Sequence, residues 1–238
     1  MPLASSSRLF SMTILTASLL ATLGNAALQA AEVKARLVTS TPDALAHKAE
    51  KPPSAVIWLK PLQSGSDPAV SAGRFTLLQK NKMFTPHLLV VPVGSSVAFP
   101  NADPFFHNVF SLFDGKRFDL GLYEAGSTRS VVFSRVGVSY IFCNIHSEMS
   151  AVVIALDTPF YSIADASGAF DIGDVPTGDY SLRVWIEGQT QSSLDQLTRR
   201  VHVAGTAVAL GDIHGATSTE QHLNKFGHPY EPDAMPTY

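Results

Sequence analysis

Beyond residue 31 the chain is a succession of short apolar runs rich in Val, Ile, Phe and Tyr, each closed by Gly, Pro, Asn or Asp. In Tyr180-Ser181-Leu182-Arg183-Val184-Trp185 apolar and polar side chains alternate, a period of two that puts one face of a strand into a core. No stretch after residue 31 sustains the period of an amphipathic helix, so the pattern predicts an all-β protein. Strands are expected over 33–39, 55–59, 88–91, 96–100, 108–110, 130–134, 138–142, 151–156, 163–164, 169–172, 180–186 and 201–210. Short strands separated by turn residues at this spacing suit β-sandwiches.

Two stretches interrupt the rhythm. Residues 61–73, rich in Ser, Gly, Pro and Asp, read as a linker or loop, and 157–159 as a second junction. Between them lies a segment long enough for a sandwich of its own. Residues 216–238 are polar with interspersed Pro, Gly and His and read as an arm. At the other end, Arg8 is the only charge in the first 31 residues; it precedes an apolar stretch from Leu9 to Leu23 and small residues around Gly24-Asn25-Ala26. That is the form of a signal peptide, with cleavage expected between Ala26 and Ala31. The apolar run is too short and too diluted by Ser and Thr for a membrane span. An exported, periplasmic protein without a membrane anchor after cleavage is therefore expected.

Charge changes the picture only by exclusion. The 17 Lys plus Arg and 20 Asp plus Glu are nearly balanced and scattered, so there is no basic face for nucleic acid or for an anionic membrane. The single cysteine is more telling. An exported protein ordinarily pairs its cysteines, and Cys143 has no partner within the chain. It is either a small buried hydrophobe or a thiolate held by a metal.

Its surroundings bear on that choice. Cys143-Asn144-Ile145-His146-Ser147-Glu148-Met149 lies between a run ending at Phe142 and another beginning at Ala151, so a thiolate, an imidazole and a thioether share one inter-strand loop. Two imidazoles and a thiolate with a weak axial Met let copper change oxidation state with little rearrangement. The second imidazole has to come from elsewhere, and His107, at the start of an upstream strand, is the candidate. A dinuclear electron-transfer centre would need a second cysteine, and a trinuclear oxygen-reducing cluster uses His-x-His pairs, which this sequence lacks. The parts for oxidase catalysis are missing, and no enzyme activity is expected. His87 reads as a solvated surface histidine, and His214, His222, His228 and Met235 as scattered side chains rather than a second copper site.

Residues 75–156 resemble the cupredoxin (plastocyanin-like) family. The resemblance is carried by Phe84-Thr85-Pro86, by Val91-Pro92-Val93-Gly94-Ser95-Ser96-Val97-Ala98-Phe99-Pro100-Asn101, by His107-Asn108-Val109 and by Tyr140-Ile141-Phe142-Cys143 with His146 and Met149. The C-x2-H-x2-M spacing is similar to the amicyanin branch, and the wider sequence to cupredoxin-like proteins labelled with methylamine utilisation. The resemblance implies a Greek-key sandwich holding one type 1 copper, with His107, His146 and Cys143 as ligands and Met149 as axial ligand. It also implies that Asn108 braces the ligand loop and that a hydrogen bond to the sulfur tunes the potential.

Downstream, Ile163 to Ile172 followed by Val175 to Trp185 resembles the carboxypeptidase regulatory-like, transthyretin-like β-sandwich, whose earlier strands have the form seen at 33–39 and 55–61. The expected organisation is a signal peptide over 1–31, first strands of the transthyretin-like sandwich over 32–62, a cupredoxin domain over 75–156, the rest of the flanking sandwich over 157–211, and a tail over 212–238. The cupredoxin is thus inserted between the second and third strands of its neighbour. Electron transfer between protein redox partners is the expected function. Copper trafficking is the alternative, disfavoured because trafficking proteins gather methionines and this chain has five, two of them in the expected signal peptide.

Overall fold

The computed structural model describes residues 30–40, 53–63, 65, 68–112 and 115–216. The expected signal peptide, save its last two residues, and the arm beyond Ala216 lie outside the described residues. Among the described residues no helix is long and apolar enough to cross a membrane.

Among the described residues the chain is all-β apart from one short helix. In order the strands are β1 (Ala30–Ser40), β2 (Ala55–Pro61), β3 (Arg74–Thr76), β4 (Leu78–Lys80), β5 (Met83–Thr85), β6 (Leu88–Pro92), β7 (Ser96–Pro100), β8 (His107–Ser111) and β9 (Phe118–Tyr123). There follow β10 (Thr128–Val132), β11 (Gly137–Phe142), β12 (Ser150–Leu156), β13 (Tyr161–Ile163), β14 (Ala169–Pro176), β15 (Gly178–Ile186), the helix α1 (Gln191–Leu197), β16 (Arg199–Val203) and β17 (Ala207–Ala216).

These strands make two sandwiches. The central one faces the sheet β6-β12-β11-β8-β9 with the sheet β10-β7-β3, and the β4-β5 hairpin closes one edge. The flanking one is built from both ends of the chain. Its sheets are β14-β1-β17 and β13-β2-β15-β16, so β1 pairs with β14 and β17 while β2 pairs with β13 and β15.

Strand β12 explains how the two sandwiches are joined. Its sequence, Ala151-Val152-Val153-Ile154-Ala155-Leu156, is apolar without alternation, the signature of a strand covered on both faces. Ala151, Val153 and Ala155 enter the central core beside Val91, Phe99, Phe133 and Ile141. Val152, Ile154 and Leu156 point the other way, with Val90, into the flanking core around Ile57, Leu59, Leu182 and Trp185. Burying those four side chains is worth about 6–12 kcal/mol before entropy is counted. Tyr140 adds a polar tie, its hydroxyl accepting from Trp185 Nε1 at 3.1 Å.

The departures from the sequence pattern have local causes. Residues 190–198 hold a helix that the pattern does not show: α1 is capped by Thr190 Oγ1, which accepts from Ser193 N–H, and buries only Leu194, too little for a period to appear. The run 201–210 is two strands, divided by a turn at Gly205 with φ 76°. Strand β9 goes unread because Asp119 and Gly121 interrupt it, and its partner β8 carries a register shift between Asn108 and Phe110. The Asp165–Gly168 turn needs its glycine: φ is +79°, and a Cβ would lie 2.9 Å from the Leu37 carbonyl.

Candidate metal centre

Two adjacent strands of the central sheet deliver the donors. His107 opens β8, and Cys143 follows the last residue of β11, which pairs with β8. The loop from Cys143 is closed on itself: Cys143 N–H donates to the Met149 carbonyl and Met149 N–H to the His146 carbonyl, each at 3.1 Å. Cys143 Sγ lies 3.8 Å from His107 Nδ1 and 3.5 Å from His146 Nδ1. All three donor atoms fall within 4.8 Å of one another.

Those separations suit one ion. Metal–nitrogen bonds of ~2.0 Å and a metal–sulfur bond of ~2.3 Å, splayed by tetrahedral to trigonal angles, put nitrogen and sulfur about 3.5–3.7 Å apart. A thiolate with two imidazoles is a soft to borderline set, suited to copper or zinc and unsuited to calcium or magnesium. Met149 is fully buried in the same cluster as Cys143, which adds a thioether to the neighbourhood and favours copper.

The electrostatics of the metal-free site favour neutral donors. Burial pushes the Cys143 thiol up, against backbone N–H groups of Asn108, Ile145 and His146 that donate to the sulfur. Burial also lowers His107, opposed by Asp103, and takes His146 down to about 4, with His107 adding to the fall. Neutral imidazoles with free lone pairs are the form a cation requires.

Sequence reasoning missed Asp103. Its Oδ2 lies 2.8 Å from His107 Nε2, and both side chains are buried. An aspartate that accepts at Nε2 keeps the proton there and leaves the Nδ1 lone pair toward Cys143. The same carboxylate accepts from the N–H groups of Asn81 at 2.6 Å and Lys82 at 2.9 Å. Those residues form the two-residue β4-β5 turn, with φ of 55° and 56°, as a type I′ hairpin requires. The signal lay in Asn101-Ala102-Asp103-Pro104, a turn sequence that sets a carboxylate four residues before the histidine.

Asn108 has two separate contacts. Its backbone N–H meets the Cys143 sulfur, while its side-chain amide turns to Asp119 Oδ1 at 2.7 Å rather than to the ligand loop. His87 is half-exposed but engaged: Nδ1 lies 3.1 Å from the Ser150 carbonyl and Nε2 2.5 Å from Glu187 Oε1. His214 sits exposed on β17, and His222, His228 and Met235 lie outside the described residues.

His107 is sealed in, with 0% exposure, whereas His146 is half-buried and reaches the surface. Phe105 packs against both rings, at 5.3 Å from His107 and 5.7 Å from His146. Phe106 and Ile145, next in sequence to the two histidines, are exposed apolar side chains.

No protein-family model and no curated protein matches the chain. Among solved structures it is similar to a purple cupredoxin from Nitrosopumilus maritimus, at 25% identity over 36% of this chain and 100% of that one, with a TM-score of 0.31. A copper-containing nitrite reductase from Thermus scotoductus SA-01 matches at 22% identity over 50% of this chain and 28% of its own, with a TM-score of 0.34. A reduced amicyanin variant matches at 20% identity over 42% and 99%, with a TM-score of 0.33.

Proposed function

We propose that this protein is a cupredoxin-type mononuclear copper protein that carries single electrons between protein partners outside the cytoplasm. The observation that carries the reading is the triangle of His107, Cys143 and His146, whose donor atoms all lie within 4.8 Å of one another, two of the three residues buried. His107, Cys143 and His146 would hold the ion, with the buried Met149 thioether as a fourth, weaker donor. Copper supplies a one-electron couple at such a site.

The chain's own part is to keep the donors still and the water out. His107 is fixed by Asp103, Cys143 by three backbone N–H groups, and the loop by its two internal hydrogen bonds. Donors that cannot move favour neither oxidation state by rearrangement, which keeps exchange fast. His146 is the donor that reaches solvent, so the electron enters and leaves through its ring edge. The flanking sandwich serves as a structural or docking module in this reading.

Visible absorption of the copper-loaded protein tests it. One Cu(II) per chain with an intense thiolate-to-copper band is expected, lost in Cys143→Ser and retained with an altered reduction potential in Met149→Leu. Full colour in the Cys143 variant would sink the assignment.

A further inference from the structure

Through Glu187 the flanking sandwich reaches the start of β12, beside the metal-binding loop. Glu187 follows β15, and its carboxylate accepts from Ser54, which precedes β2; both belong to the flanking sandwich. The same carboxylate holds His87 Nε2 at 2.5 Å. His87 stands just before β6 of the central sandwich, and its other ring nitrogen lies 3.1 Å from the carbonyl of Ser150. Its backbone carbonyl also accepts from Val152 N–H at 2.8 Å. The side chain and main chain of one residue thus grip the first turn of β12, directly after Met149.

Ser150 pairs with Phe142, and Met149 is tied through its carbonyl to Cys143 N–H. Whatever holds Ser150 therefore holds the closing end of the donor loop. An ion pair, Lys60 Nζ to Asp157 Oδ2 at 2.9 Å, ties β2 of the flanking sandwich to the residue that follows β12. It sits past the opposite end of β12, seven residues from Ser150 and about 23 Å along an extended strand. The two ties differ in what they touch. One ends on the residue next to the metal loop and the other on a junction.

We propose that Glu187 and His87 are positioning residues through which the flanking sandwich fixes the Met149 end of the metal-binding loop. The inference rests on the reading of that loop as a copper site. It gives the flanking sandwich a role in setting the properties of the metal, beyond that of an appended structural unit.

The test uses the full chain with Glu187→Ala, His87→Leu, the conservative Glu187→Gln, and Lys60→Met as the control that removes a cross-sandwich tie elsewhere. Hydrogen exchange of the metal-free proteins, followed in peptides covering residues 143–152, reads the brace without any metal. After Cu(II) loading, the reduction potential and the ratio of the thiolate-to-copper bands read its effect on the axial position. Glu187→Ala and His87→Leu should speed exchange of the loop amides by about fivefold or more and change the band ratio. Glu187→Gln should recover most of both, and Lys60→Met should lower thermal stability while leaving both at the wild-type values. Wild-type loop exchange in the Glu187 and His87 variants, or an equal change in Lys60→Met, overturns the proposal. So does a wild-type band ratio and potential in both brace variants. A wild-type protein that takes up no coloured copper sinks the metal reading instead, and the exchange arm still decides whether the brace exists.

Discussion

Replacing Asp103 with alanine isolates the contribution of the buried carboxylate behind His107 in the candidate site. Asp103 is 5% exposed and accepts three hydrogen bonds, from His107 Nε2–H and from the Asn81 and Lys82 N–H groups. Burial works against its charge, yet those donors hold its carboxyl below the usual range, so the group is ionised at neutral pH. Alanine leaves the His107 N–H buried and unmatched, at a cost of about 1–3 kcal/mol. The two turn N–H groups lie nearer to water and lose about 0.5–1 kcal/mol each. A total of about 3 kcal/mol corresponds to a fall in melting temperature of roughly 6–12 °C for a chain of this size. The second consequence concerns the metal. Without an acceptor at Nε2 the ring is free to carry its proton on Nδ1, the atom that faces Cys143, and metal affinity should fall about 10- to 100-fold. Asp103→Asn, which keeps an acceptor oxygen, should lose less in both respects. Thermal denaturation of the metal-free protein and a copper titration followed by its visible band measure the two effects separately. An Asp103→Ala protein with melting within about 2 °C of wild type and unchanged affinity would refute the assignment.

Acid should loosen the contact between the sandwiches in a way that Glu187→Gln removes. Burial favours the neutral Glu187, but His87 and Ser54 outweigh it and lower the carboxyl below its ordinary value of 4.5. With the folded value below the unfolded one, the contribution is full above the ordinary value and is lost as pH falls through the folded value. The gap in melting temperature between wild type and Glu187→Gln should be present at pH 7 and close on acidification, and a constant gap would contradict the linkage. At the surface, Phe106→Glu or Ile145→Glu should slow electron exchange with a physiological partner severalfold while leaving the copper spectrum nearly unchanged. Stopped-flow mixing reads this, and unchanged rates in both variants would place the entry point elsewhere.

Much of the donor set could be read before the fold because its signal is local. Cys143, His146 and Met149 share a loop, and a lone cysteine in a chain read as exported asks for an explanation. The structure brings His107 to them because β8 and β11 are neighbours, a non-local fact that the sequence suggests only through the resemblance of His107-Asn108-Val109. Asp103 was missed for a different reason. A buried carboxylate looks in sequence like any turn aspartate, and its value depends on the ring four residues later and on a hairpin turn 21 and 22 residues earlier. His87 is at the surface, as its sequence suggests, but a histidine between Pro86 and Leu88 gives no hint of Glu187, a hundred residues away. The helix at 191–197 and the interrupted strand β9 show where pattern fails. One has too few buried residues to show a period, and the other carries a glycine and a register shift within its pairing.

The doubly buried β12 connects the architecture to the chemistry. In a sandwich standing alone, the outer face of the sheet that carries the ligand loop meets water, and its side chains alternate apolar and polar. Here Val152, Ile154 and Leu156 are packed on that face as tightly as Ala151, Val153 and Ala155 on the other. A close-packed layer on each side leaves a strand little room to shift, because interiors resist compression and displacement. The ligand loop springs directly from this strand, and its other root, Cys143, follows β11, whose Tyr140 is tied to Trp185 in the flanking core. Both roots of the loop are therefore anchored in a sheet clamped from two directions. In the proposed copper reading, donors that must keep their places in two oxidation states gain from such a clamp, and the flanking sandwich supplies one of its jaws. Truncating Ile154 to alanine tests this directly: the flanking core loses a buried side chain at a cost of about 2–5 kcal/mol, on the face of β12 turned away from the metal. If the clamp governs the loop, exchange of the residue 143–149 amides should rise along with the loss of stability. Loss of stability with loop exchange held at the wild-type level would show instead that the central sheet is rigid enough by itself.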